Sequence, residues 1–245
     1  MPHYFILCLR MKQKRLSFIV PAFNEAGNIA HVARKINDIA PAYCRDFEII
    51  IVNDGSIDAT GKIADHLAKS NKRVQVIHNQ QNRGLGYSFF TGVSKARFEQ
   101  VMLYFGDDDC PTESLKAMLS HLGEADIIIP YYTNFHLTKT WFRHLLSISY
   151  THLINYITGF TIRYYNGMSI HTTKLINQMN YASIGLEFQA ESIIYLIKHG
   201  ATYVEVAVTN QDRKQGASSA LRLKSISSVT KFLIQLYLKY KLPQT

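Results

Sequence analysis

Residues 101–114 read VMLYFGDDDCPTES, an apolar run that stops at three adjacent carboxylates, Asp107, Asp108 and Asp109. Strand residues without polar alternation belong to a sheet covered on both faces. Val101 to Phe105 is therefore expected to be an interior strand, and Pro111 to about Leu122 the helix that follows it.

The same unit recurs upstream. Leu16 to Val20 is a wholly apolar run, followed by Pro21 and by Asn24, placed to cap a helix with Glu25 in its first turn. Phe47 to Val52 reads as a second strand, NDGSIDAT (53–60) as turn chemistry, and Ala59 to Lys69 as a helix. Val74 to His78 is a third strand, NQQNRGLG (79–86) a loop and Tyr87 to Phe98 a helix; Asp126 to Pro130 makes a fifth strand after the Val101 run. Strands alternating with helices of this length predict an α/β fold, a mostly parallel sheet with helices on both faces. Ligands in such sheets bind beyond the carboxyl ends of the strands. PAFNE (21–25), NDGS (53–56) and GDDD (106–109) each follow a strand, so three polar loops should meet in one cleft.

With 245 residues, 47% of them apolar, the chain can bury one substantial core. Its formal charge of +9 is uneven: residues 1–126 hold 15 Lys/Arg against 14 Asp/Glu, and residues 127–245 hold 12 against 4. The basic second half suits an anionic partner: phospholipid, nucleic acid and phosphate substrates all qualify. Cys8, Cys44 and Cys110 have no CxxC spacing, which argues against a disulfide framework or zinc site and fits a reducing compartment. Residues 1–14 place an apolar stretch before basic residues, the reverse of a signal peptide, and are read as an extension in which Met11 is an alternative start. No run reaches the length a membrane-spanning helix needs, so any membrane contact is expected to be peripheral.

The second half is aromatic. Phe142, Leu145, Leu146, Leu153, Ile154, Ile157 and Phe160 fall at helical spacing, with Trp141 and Arg143 at its start open to two readings, bilayer contact or packing. NGMSIH (166–171) reads as a further strand, with Asn166 and Gly167 at its start. Glu187 to His199 is a helix, Thr202 to Val208 a strand and QDRKQGASSA (211–220) a basic loop; His171 and His199 lack partners at metal spacing. In ISSVTKFLIQLYLKYK (226–241), Ile226, Val229, Phe232, Leu233, Leu236, Tyr237 and Tyr240 form one stripe flanked by lysines. Packing on the domain and lying in a membrane interface both fit that stripe. The organisation is thus an extension (1–14), a catalytic domain (15–220) and an amphipathic basic helix (221–245).

Three clustered carboxylates repel one another unless a cation is present, and oxygen ligands favour Mg²⁺ or Mn²⁺. In an extended segment Asp107 and Asp109 would face the same ligand. A solvated acidic turn ahead of a helix is the competing reading, and the position at a strand end beside two polar loops favours the cation. Neither GxxxxGK[ST], GxGxxG nor GxSxG occurs, which argues against a P-loop enzyme, a dinucleotide dehydrogenase and an α/β-hydrolase.

IVPAFNE (19–25), IIIVNDGSIDAT (49–60), NRGLG (82–86) and FGDDD (105–109), in this order, resemble the nucleotide-sugar-binding half of the family-two glycosyltransferases with the GT-A fold. LEFQAESIIYLIKHGATYVEVAVTNQDRKQGASS (186–219) resembles the carboxyl part of polyprenyl-phosphate sugar transferases such as dolichol-phosphate mannosyltransferase. The resemblance implies that Pro21, Phe23 and Glu25 line the base and ribose pocket, and that Asp54, with Val52 beside it, recognises the nucleobase. Asp107, Asp108 and Asp109 match the family's Asp-x-Asp, implying that the outer two hold the diphosphate of a UDP- or GDP-sugar through the ion. Asp109 and Arg213 would be catalytic, with Arg213 near the donor and acceptor phosphates.

An inverting transfer to a lipid-linked acceptor, polyprenyl phosphate first, at the cytoplasmic face of a membrane is the implied activity, with no nucleic-acid partner. A phosphate acceptor is already ionised near neutral pH, whereas a saccharide hydroxyl would need a base, for which Glu187, Glu191 and Asp212 are the candidates. Three departures stand out: Ser219 replaces a lysine of the family, PYYTNFH (130–136) lacks its arginine, and Asn53 replaces a frequent aspartate. Two other classes remain. A nucleotidyltransferase would release pyrophosphate, and a non-catalytic basic binding protein would tolerate Asp107→Asn and Asp109→Asn.

Overall fold

The computed structural model describes residues 14–134, 141–179, 185, 187–211 and 223–241. Expectations at Cys8, Met11, Asp212, Arg213 and Ser219 lie outside the described residues.

Seven strands form one sheet in the order β3-β2-β1-β4-β6-β5-β7. Its first half alternates strictly: β1 (Arg15–Ala22), α1 (Ile29–Ile39), β2 (Asp46–Asp54), α2 (Thr60–Ser70), β3 (Val74–Asn79), α3 (Leu85–Val93), β4 (Gln100–Leu103), α4 (Thr112–Ser120) and β5 (Ile127–Tyr132). Then come α5 (Trp141–Thr158), β6 (Ile170–Thr172), α6 (Thr173–Asn177), α7 (Phe188–Lys198), β7 (Tyr203–Val208) and α8 (Leu223–Lys241). β1 pairs in parallel with β2 and β4, β2 with β3, and β5 with β7. The short β6 runs antiparallel to both β4 and β5. The sheet is mostly parallel, as expected, with one reversed strand where NGMSIH was read; only its last two residues and Thr172 pair.

The β1 and β2 side chains alternate between two buried layers. Leu16, Phe18 and Val20 with Phe47, Ile49 and Ile51 meet α1 and α4 on one face. Ile19, Ile50 and Val52 meet α3, and that layer continues under α5, α7 and α8 on the other. Both faces being dry explains why these strands carry no polar alternation. The exception is fully buried Glu48, whose two oxygens accept hydrogen bonds from Ser17 Oγ (2.7 Å), Gln75 Nε2 (2.9 Å), Arg97 N (2.8 Å) and Arg97 Nε (2.7 Å). Burial of that charge is compensated at every lone pair it presents.

Local boundaries depart from the sequence reading in two places. Asn24 does not cap α1: it sits at φ 58°, accepts from Ile57 N (3.0 Å) through its side chain, and donates its backbone N–H to Ser56 Oγ (3.0 Å). Asn28 takes the cap position instead. α3 ends at Val93, five residues short of Phe98.

Candidate active site

Strand register brings the rim loops side by side. Pro21 lies opposite Val52 and Ala22 opposite Asn53, while Asn53 and Asp54 lie opposite His78 and Asn79. On the other side of β1, Leu103 is level with Ile19, so the chain continuing from β4 runs beside PAFNE. Gly106 makes that approach possible, since a Cβ there would stand 3.0 Å from the Pro21 carbonyl oxygen. Further bonds tie the first two loops: Glu25 N donates to Thr60 Oγ1 (2.7 Å) and Ala26 N to Asp58 Oδ2 (3.2 Å). PAFNE, NDGS and GDDD thus share one edge.

The individual side chains are sorted by this geometry. Phe23 is exposed and Glu25 half-buried at the rim, whereas Pro21 is buried at the end of β1. Val52 is fully buried in the layer with Ile19 and Phe89. It therefore belongs to the core and lines no open pocket, because its position in β2 points it to that face.

Asp54 is 4% exposed. Its Oδ1 accepts from Asn79 Nδ2 (2.7 Å) and Arg83 N (2.9 Å), and its Oδ2 from Gly84 N (2.9 Å). The carboxylate thereby organises the NRGLG loop. Gly55 at φ 70°, packed on the backbone of Gln81, completes the turn that lets the two loops touch.

In the triplet, Asp107 is 6% and Asp108 4% exposed, and Asp109 is half-buried. The segment is not extended: Asp108 has φ 57°, a left-handed conformation that breaks strand alternation. Asp107 and Asp109 are thus not related by a two-residue strand repeat. The Asp108 carboxylate is engaged by α1, pairing with Lys35 Nζ through Oδ1 and facing His31 Nε2 at 3.3 Å through Oδ2. Lys35, 9% exposed at its side chain, also donates to the Cys110 carbonyl (2.9 Å). From the opposite side Gln211 Nε2 donates to the Asp108 carbonyl (2.8 Å) and Gln211 N to the Asp109 carbonyl (3.1 Å). Sequence spacing offered no sign of Lys35, His31 or Gln211 at this site, since their partners are more than seventy residues away in the chain.

The donor set consists of hard carboxylate oxygens, which suits Mg²⁺ or Mn²⁺. Among the described residues no three His, Cys, Asp or Glu side chains converge on one ion. An open site, in which Asp107 and Asp109 would share the ion with waters and a diphosphate, is the habit of Mg²⁺ and needs no third protein ligand. The Cys110 thiol next to it is pushed up to about 12 by burial and by Asp109, which removes it as a nucleophile.

Beyond the triplet lies an aromatic wall. The Tyr132 hydroxyl is held well above its ordinary range by burial and then by Asp109, and Tyr164 packs edge-on against its ring at 5.3 Å. These two tyrosines line a cavity of about 590 Å³ between the end of β5, α5 and residues 160–164. His144, His152 and Arg163 also line it, and among the described residues no carboxylate does. Gly167 abuts Pro130 and Tyr132 and donates its N–H to Gln189 Oε1 (2.5 Å). Of the candidate bases, Glu187 is buried and accepts from Ser228 Oγ of α8, and Glu191 lines a crevice between α7 and α8 with Phe232 and Lys239. His171 is buried beside Phe89, as an ordinary core histidine.

A mostly parallel sheet with polar loops gathered at the carboxyl ends of its first, second and fourth strands defines a GT-A glycosyltransferase. The family model described as glycosyl transferase family 2 matches residues 17–185, and the chain belongs to that family. Two relatives are similar over most of the chain. Dodecaprenyl-phosphate galacturonate synthase of Rhizobium johnstonii is 23% identical over 231 residues, 92% of this chain and 68% of that protein. Polyprenol monophosphomannose synthase of Mycolicibacterium smegmatis is 25% identical over 217 residues, 84% and 80%. The chain spans only 35% of another relative, the putative glycosyltransferase EpsH of Bacillus subtilis, at 33% identity over 123 residues. Among solved structures, glucosyl-3-phosphoglycerate synthase of Mycobacterium tuberculosis in complex with Mn²⁺, UDP and phosphoglyceric acid superposes with TM-score 0.69 and 16% identity, covering 98% of this chain and 83% of that one. At that identity the likeness is one of fold.

Proposed function

We propose that this glycosyltransferase moves a sugar from a UDP- or GDP-sugar to a lipid-linked acceptor, polyprenyl phosphate, with inversion and with Mg²⁺ or Mn²⁺. What supports the reading is the cleft: the acidic triplet shares one edge with the PAFNE and NDGS loops, and Asp109 acts on Tyr132, which lines an aromatic cavity whose described lining holds two histidines and an arginine. One end suits a metal-bound diphosphate, and the other an anionic head with an apolar tail.

In this mechanism an acceptor phosphate oxygen forms a bond to the anomeric carbon as the bond from that carbon to the diphosphate oxygen breaks, and the electron pair leaves with the nucleoside diphosphate. Asp107 and Asp109 would hold the divalent ion, which when bound offsets the charge growing on the leaving group. Asp54, by fixing the NRGLG loop, shapes the base side of the pocket, and Phe23 and Glu25 border it. Arg213 would add a phosphate contact. The phosphate acceptor needs no strong base, and Glu187, buried with one oxygen accepting from Ser228 of α8, is not required as one.

The relatives named for dodecaprenyl phosphate and polyprenol support this acceptor class. So does a surface on α5 and α8. Trp141, Phe142, Leu145 and Tyr156 of α5 and Ile234 and Leu238 of α8 are exposed apolar side chains, α8 lies against α5, and Lys241 Nζ sits 4.7 Å over the Tyr156 ring. No helix among the described residues is long and apolar enough to cross a membrane. An apolar face edged with lysines fits peripheral attachment to an anionic leaflet, the cytoplasmic one.

The test is transfer from a panel of UDP- and GDP-sugars to polyprenyl phosphate, with Mn²⁺ or with EDTA. A metal-dependent glycosyl phospholipid plus nucleoside diphosphate is the expected result. Release of pyrophosphate would identify a nucleotidyltransferase. Transfer only to a water-soluble sugar in detergent-free buffer would favour the hydroxyl acceptor.

A further inference from the structure

Three adjacent carboxylates carry more negative charge than one divalent ion offsets, and they stand in a largely buried loop. The middle carboxylate, Asp108, pairs with Lys35 of α1 and faces His31 Nε2 of the same helix.

The same lysine acts on the backbone. Its second bond, to the Cys110 carbonyl (2.9 Å), lies on the far side of Asp109 from the first. Gln211 holds the Asp108 and Asp109 carbonyls from β7's side of the loop. Asp109 is thus gripped before and after its own Cα. The left-handed turn at Asp108 is a conformation that Asp and Asn tolerate better than most residues, and the Lys35 pair keeps it there.

We propose that Lys35 is a positioning residue of the donor site: by neutralising Asp108 and gripping the Cys110 carbonyl, it withdraws the middle carboxylate from the ligand set and fixes how Asp107 and Asp109 meet the ion. This rests on the metal-dependent reading above. It assigns the triplet two kinds of carboxylate, a structural one in the middle and a ligand on either side. Groups that orient ligands without touching the metal tune its affinity strongly.

The experiment is Mn²⁺ titration followed by electron paramagnetic resonance, with UDP or GDP present, on the parent protein and on Lys35→Met, Lys35→Arg, Asp108→Asn and Asp107→Asn, each below its melting temperature. Lys35→Met is expected to weaken Mn²⁺ binding roughly tenfold to a hundredfold, and Lys35→Arg to recover most of it. Asp108→Asn, which keeps the turn and an oxygen for Lys35, should bind Mn²⁺ nearly as the parent does, whereas Asp107→Asn should lose it. Mn²⁺ binding in Lys35→Met equal to the parent's, or a loss in Asp108→Asn as large as in Asp107→Asn, overturns the inference alone. Should Lys35→Met fail to fold, the Asp108→Asn and Asp107→Asn comparison still decides. A parent protein that takes up no Mn²⁺ with either nucleotide overturns the metal-dependent reading and this inference with it.

Discussion

Asp107→Asn removes one formal charge from the donor site without changing side-chain size, and transfer is expected to fall roughly a hundredfold or more in kcat/KM. Steady-state kinetics at saturating Mn²⁺ checks this. A second residue-scale prediction concerns His171, whose pKa burial lowers to about 4. The unfolded chain takes up this proton near pH 6.5, and the folded chain only near pH 4, so stability declines as pH falls between those values. The slope contributed is at most about 1.4 kcal/mol per pH unit, and His171→Leu should lack it in denaturant titrations across that window. At this scale the sequence revealed acidic residues at the ends of strands and concealed what holds them. FGDDD was legible because a charge cluster after an apolar run has few structural uses. The sorting of Asp108 from its neighbours was not, because it depends on a lysine seventy-three residues away. The burial of Val52 was not legible either: proximity to Asp54 in the chain says nothing of which face of β2 a side chain takes.

Elements were legible wherever a single force decided them. β1 to β5 are built around apolar runs, and their succession along the chain followed from alternation with helices. Ends decided by contacts distant in sequence were not, as at Asn24, which turns toward the 56–57 backbone instead of capping α1. β6 was harder still, since only three residues pair and their direction is set by two neighbours. The packing of α3 on β1 offers a clean test. A Cβ at Gly92 would collide with Ile19 and stand 3.3 Å from Val52 Cγ2. Gly92→Ala is expected to cost about 1–3 kcal/mol through overpacking, read from urea unfolding. On α8, Lys231, Lys239 and Lys241 are three of the helix's four lysines. Replacing all three by Gln should weaken sedimentation with phosphatidylserine vesicles by up to about 3 kcal/mol, taking about 1 per lysine near the surface, while leaving thermal unfolding little changed.

For the molecule as a whole, the +8 balance of residues 127–245 against the near neutrality of the rest divides labour along the chain. The neutral half builds the sheet edge that would receive the donor, and the basic half supplies the cavity wall and the α5–α8 surface. Vesicle binding should therefore weaken steeply between 0.05 and 0.5 M salt, on the order of what a Debye length shrinking below about 10 Å implies, while nucleotide affinity in the presence of Mn²⁺ changes much less. Parallel measurements by flotation and calorimetry would expose the difference. The fold class was legible because unalternating apolar runs alternate with helices along the chain; the cavity was not, because it depends on where α5 comes to rest. The reversed strand has a temporal consequence. β5 and β7 reach the rest of the sheet only through β6, so while the ribosome is still making residues 104–169 the four strands β3-β2-β1-β4 can already close, and the remaining pair waits for residues 170–172 to slide between. The nucleotide half is thus complete early in synthesis, and the half that would greet the lipid is stitched on last.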